Sequence, residues 1–172
     1  MAEVVSIHIV REKKAPAESC DHVTIRTNFG IEGDYRSGKY QAGQITLIES
    51  EVMDTASREL GYEIPTGASR RQIMVRGVSL NETIGHKLRL GSVLVLAEEK
   101  CKPCDNMEAA IGLGAKGAMN GRGGVRCRVI KGGELHVTDA VTIESSVWPY
   151  YARLTRLCFK FISYFIKLSN KA

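Results

Sequence analysis

Short runs of β-branched and apolar residues, cut by glycine and polar turns, recur along most of this 172-residue chain and scarcely alternate with helical segments. That pattern constrains the fold more than any other feature of the sequence. Strands are predicted over 4–10, around Val23 and Ile25, and over 44–48, 71–75, 87–90, 92–97, 125–130, 134–137 and 141–143. Gly132-Gly133 reads as the turn of a hairpin joining two of them, and Gly30 to Asp34 as a loop. Only two modest helices interrupt the series. Val52, Met53, Ala56 and Leu60 recur at helical spacing after Ser50, a candidate N-cap, and before Gly61, a candidate stop. Asp105 is placed to cap a second, with Glu108 three residues on as the returning half of a capping box. The six glycines between Gly112 and Gly124 argue against a regular element there. Strands that do not alternate with helices disfavour a doubly wound parallel sheet. The expectation is a β-rich α+β domain, with a closed barrel as the way to remove exposed strand edges.

Charge divides the chain in two. Beyond Glu144 there is no acidic residue, while Arg153, Arg156, Lys160, Lys167 and Lys171 follow, with seven of the eleven aromatic residues. Removing those five basic residues from the chain's 24 leaves 19, equal to the 19 acidic ones. The body is therefore formally neutral, and the basic pI implies no nucleic-acid partner. We set a domain over 1–144 and a basic amphipathic helical tail over 145–172. Pro149 suits the tail's first turn. Tyr150, Leu154, Leu157, Cys158, Phe161, Phe165 and Leu168 would line one face, and Arg153, Arg156, Lys160, Ser163 and Lys167 another. Such a helix packs on the body, on a second subunit in a homodimer, or on an anionic membrane surface. No start resembling a secretory signal and no uninterrupted apolar run of about twenty residues is present. With five cysteines, an odd count, these features fit free thiols in a reducing, cytoplasmic setting, peripheral to a membrane if the tail binds one.

Cys101-Lys102-Pro103-Cys104 is the sharpest local motif. A structural zinc site needs two more ligands, and no second C-x-x-C or H-x-x-x-H exists. A thioredoxin-like pair belongs early, after a first strand, not after a run of strands. A third reading makes Cys104 one reactive thiol at a helix N-terminus beside Lys102, where N–H groups favour a thiolate able to bind a soft metal or carry sulfur. A fourth makes it an inert half-buried cysteine. Cys127 alternates with Val125 and Val129 and reads as core. Ser69-Arg70-Arg71-Gln72 with Arg76 forms one basic cluster, and Arg122, Arg126 and Arg128, entered through glycines, another. Arginine grips phosphate and carboxylate, although solvated surface arginines are the plainer reading of either cluster alone. Asp34 suits a turn that satisfies its own backbone. No histidine has a partner at metal-ligand spacing.

Taken in order, GIEGDYRSG, QITLIESE, ASRRQIMVRGVSLNETIGHKLRLGSVLV, EEKCKPCDNME and GAMNGRGGVRCRVIKGGELHVTDAV resemble the MOSC family, named for the C-terminal domain of molybdenum cofactor sulfurase. The resemblance implies a β-barrel, with Cys104 as the sulfur or molybdenum ligand. It implies Arg70, Arg71, Arg122 and Asp34 as the residues that bind the molybdenum–pterin cofactor. Three departures stand out: this chain has no room for the sulfurase's pyridoxal-phosphate domain, Gln72 follows the arginines where asparagine is frequent, and Tyr35-Arg36 replaces a frequent histidine. Pyridoxal phosphate is accordingly not expected on this chain alone. The expected function is binding of molybdenum cofactor, or carriage of sulfur, on Cys104. The alternatives are a molybdenum-dependent reductase of N-hydroxylated compounds and a non-catalytic adaptor. The partner proteins implied are a sulfur donor such as a cysteine desulfurase, or an electron-transfer protein.

Overall fold

Alternation builds the interior of the computed structural model, which describes residues 1–146. Ile45 and Leu47 of β5 (Ile45–Glu49) and Ile73 and Val75 of β6 (Ile73–Arg76) point into the main core, while Ile48 and Met74 point the other way. The main core gathers further residues from β1 (Glu3–Ile9), β3 (His22–Arg26), β7 (His86–Leu90), β8 (Val93–Lys100), β9 (Val125–Lys131) and β10 (Gly133–His136). Ile48 and Met74 meet a second apolar cluster under three helices, α1 (Ser50–Leu60), α2 (Asp105–Ile111) and α3 (Ala115–Ala118), through Val52, Met53, Ala56, Met107 and Ala115. β5 and β6 are thus buried on both faces and run parallel, with α1 as their crossover. The fold is strand-rich and mixed α/β. Among the described residues no helix is long and apolar enough to cross a membrane.

The eight-stranded sheet runs β11 (Val141–Ser146), β7, β8, β9, β5, β6, β1 and β2 (Glu18–Cys20), and it is not closed. The expected barrel is thereby corrected. Ile7 to Ile9 of β1 pair with the three-residue β2, and Glu3 meets Ala140 in one isolated bridge instead of a ladder with β11. A very short edge strand blunts what closure would have removed. β10, β3 and the two-residue β4 (Gly30–Ile31) form a second sheet.

Other local expectations shift for identifiable reasons. β10 does not return along β9; Leu135 pairs with Val23 of β3, so the Gly132-Gly133 hairpin is not formed. Gly132 passes so close to the Ile25 carbonyl that a side chain has no room, and its N–H donates to Thr27 Oγ1 at 2.9 Å. Glu49, not Ser50, occupies the cap of α1, because Ser50 is already helical. Gly61 ends α1 as predicted, at φ 78° with its N–H donating to the Ser57 carbonyl. The glycine-rich stretch contains α3 after all, entered through Gly114 at φ 94°. The helix expected beyond Pro149, with its basic and apolar faces, lies outside the described residues.

Candidate functional site

The C-x-x-C loop hangs between β8 and α2. Lys100 still pairs with Val125 of β9, and the Cys101 N–H donates to the Gly124 carbonyl at 2.8 Å. A side chain at Gly123 would collide with the Cys101 carbonyl and Pro103, so glycine lets the 121–124 loop close on this segment. Cys104, at φ −134° and ψ 166°, is itself the N-cap of α2, and its carbonyl accepts from the N–H groups of Met107 and Glu108, both at 3.0 Å. This corrects the assignment of the cap to Asp105, which is the first helical residue and pairs with Lys116 at 2.6 Å. The capping box is absent too: the Glu108 carboxylate accepts from the Gly114 N–H.

Arg71 holds the loop from below. It is buried, and Nε donates to the Gly123 carbonyl at 2.7 Å. Nη2 donates to the carbonyls of Lys102 at 3.2 Å and Cys101 at 3.4 Å, and Nη1 to that of Ser69. Among the described residues Arg71 makes no salt bridge, and its guanidinium spends its donors on carbonyls that tie the loop to the 123 region. Arg70 sits at φ 58°, a left-handed conformation that side chains other than glycine enter at a cost. Its Nη1 donates to the Ala15 carbonyl, and its own carbonyl accepts from Arg36 Nη1 at 2.9 Å.

Arg36 is oriented in turn by Asp34. That carboxylate is buried, pairs with Arg36 Nη2 and Nε at 2.6 and 2.8 Å, and accepts from the N–H groups of Arg36 and Val10. Burial by itself would raise its pKa. The hydrogen bonds and charge of Arg36, with the two backbone N–H donors, outweigh burial and hold the carboxyl below the ordinary aspartate range. Asp34 is therefore both the turn residue read from the sequence and a positioning residue for Arg36.

These elements enclose a cleft of about 200 Å³ whose wall includes Tyr35, Arg36, Arg70, Arg71, Gln72, Cys101, Cys104, Asn106 and Arg126. Four arginines and no carboxylate line it. Of the residues expected from the sequence, Cys104, Arg70 and Arg71 converge here, Asp34 acts through Arg36, and Arg122 lies apart, its guanidinium 2.6 Å from Glu59. Arg36, Arg126, Gln72, Tyr35 and Asn106 were not selected as cofactor-binding residues in the sequence; the GDYR string was the only hint of Arg36. A wider cleft of about 520 Å³ shares Tyr35, Arg70 and Asn106 and adds Lys13 and Lys14.

Gln72 is 1% exposed, and its Nε2 has no partner. A second buried polar atom among the described residues lacks a hydrogen bond, Arg128 Nε, but it stands 3.0 Å from a Glu98 oxygen. An unpaired buried amide donor costs roughly 1–3 kcal/mol, which a ligand oxygen would offset. Among the described residues no group of three His, Cys, Asp or Glu side chains is placed to hold a metal. A metal here would have to arrive with most of its own ligands and take one from the protein. A soft sulfur ligand, arginines and a free amide donor suit a metal carried on an anionic organic group.

Cys104 is the exposed thiol of the four described; Cys101 and Cys127 are buried and Cys20 is half-buried. Burial pushes the Cys127 and Cys20 thiols up, away from the reactive thiolate. We therefore expect Cys104 to be alkylated first in native protein, at least tenfold faster than Cys127. Timed labelling read by peptide mass spectrometry checks this, and equal labelling of Cys101 or Cys127 would contradict it.

Comparison with solved structures finds the same fold in the YUAD protein from Bacillus subtilis, with TM-score 0.67 and 16% identity over 82% of this chain and 94% of that one. YiiM from Geobacillus stearothermophilus gives TM-score 0.68 and 16% identity over 86% and 80%. YiiM from Escherichia coli gives 0.64 and 16% over 86% and 74%. No curated protein matches the chain. The family profile described as MOSC domain matches residues 33–142, which include Asp34, Arg70, Arg71 and Cys104 and make up well over half the chain. This chain belongs to the MOSC domain family.

Proposed function

We propose that this protein holds a molybdenum–pterin cofactor on the Cys104 thiol, and that the same thiol carries sulfur when it is loaded with sulfur instead. One observation carries the reading: the exposed thiol opens on a cleft whose lining holds four arginines, an unpartnered amide and no carboxylate. When bound, the cofactor supplies a redox-active metal centre. Cys104 supplies a soft ligand, Arg36 and Arg70 hold anionic oxygens, Asp34 orients Arg36, and Arg71 fixes the loop that presents Cys104. As sulfur carrier, the Cys104 thiolate attacks the outer sulfur of a donor persulfide. The donor's S–S bond breaks, Cys104 takes up the outer sulfur and becomes a persulfide, and the donor leaves as a thiolate. The donor, such as a cysteine desulfurase, is a separate chain.

The left-handed backbone at Arg70 offers a test that separates binding from folding. Arg70→Gly relieves the conformation at φ 58° while deleting the guanidinium. The variant should melt no lower than the parent. It should hold cofactor at least about tenfold more weakly, the worth of one charge-assisted hydrogen bond. Pterin fluorescence of equilibrium-dialysed protein reads the affinity. Unchanged retention would remove Arg70 from the site.

A further inference from the structure

We propose that Gln72 is the neutral donor of an oxyanion subsite inside the Cys104 cleft, with Nε2 hydrogen-bonded to an oxygen of the bound group. The inference rests on the cofactor reading and deepens it, by naming the group that recognises a ligand oxygen. Gln72 cannot turn freely. Its Oε1 accepts from the Thr46 N–H at 2.9 Å and Thr46 Oγ1 at 3.2 Å. Its backbone N–H donates to the Thr46 carbonyl, and its carbonyl accepts from the His8 N–H. Flipping the amide would set its NH2 against the Thr46 N–H, so the orientation with Nε2 free is the one the neighbours impose. The residue lines the cleft, is almost wholly buried, and keeps this donor unpaired. Because no carboxylate lines the wall, the missing acceptor belongs to a ligand, and the arginines beside it select an anionic oxygen. Both the phosphate of an organic cofactor and the oxo groups of a metal centre offer that chemistry.

The test uses the full-length protein free of cofactor, labelled with 15N and titrated at constant ionic strength with inorganic phosphate in one arm and molybdate in the other. The Gln72 side-chain amide resonance should shift and saturate in at least one arm, and the tighter arm assigns which end of the cofactor Gln72 reads. Gln72→Met, similar in volume but without the donor, should bind that anion about tenfold more weakly. Gln72→Glu keeps an acceptor for Thr46, should melt near the parent, and should bind the anion more weakly still. A Gln72 amide that stays put in both arms, or Gln72→Met binding as tightly as the parent, would overturn the proposal. The cofactor reading is judged separately, by metal and pterin content: a chain that binds an oxyanion at Gln72 yet never carries pterin supports the subsite and refutes that reading.

Discussion

Arg71→Ala is expected to lose roughly 3 kcal/mol of stability, because it strips the donors from the carbonyls of Gly123, Lys102 and Cys101 in a buried setting. Cofactor retention should fall with it, since the loop that presents Cys104 loses its anchor. Arg71→Met fills similar volume without donors and should be nearly as damaged. Arg71→Lys should recover only part, because an ammonium lacks the planar fork that reaches separate carbonyls. Denaturant unfolding gives the stability, and trypsin cleavage after Lys100 in native protein reports the loosened loop. An Arg71→Ala protein within about 1 kcal/mol of the parent, with the loop still resistant, would return Arg71 to the role first read from the sequence, a side chain free to meet the anion.

Asp34→Ala should be comparably severe, at roughly 3–5 kcal/mol, because it leaves the partly buried Arg36 without its counter-charge and the Val10 N–H without its acceptor. The same pair predicts an acid limb. A carboxyl whose folded pKa lies below its unfolded one stabilises the fold fully above the unfolded value of about 4, and that contribution is lost as pH falls through the folded value. Thermal melting of the parent should therefore decline below about pH 4 more steeply than that of Asp34→Asn. Parallel pH profiles for the two proteins would show that Asp34 contributes nothing through its charge.

Local chemistry made much of this fold legible before any coordinates. Apolar, β-branched runs placed the strands around Val4, Ile45 and Val93, alternation the one around Val125, and a glycine marked the end of α1. The errors lie where a distant segment decides. Gly132-Gly133 has the composition of a hairpin, yet β10 pairs with β3, more than a hundred residues upstream. The open sheet depends on which neighbour takes each half of the β1 edge, which alternation within β1 cannot encode. The site divides in the same way. Cys104 and the paired arginines stand out by residue type. That Arg71 spends its donors on the C-x-x-C loop, that Arg122 turns to Glu59, and that Gln72 keeps one donor free all depend on tertiary neighbours.

The claim that Cys104 is the ligand is tested most directly by metal analysis of protein purified from a host that makes molybdenum cofactor. The parent chain and Cys104→Ser, Cys101→Ser variants would be assayed side by side for molybdenum by mass spectrometry and for pterin by fluorescence. The account predicts molybdenum and pterin together in the parent, most of both in Cys101→Ser, and loss of molybdenum in Cys104→Ser. Equal molybdenum in the parent and Cys104→Ser would contradict it.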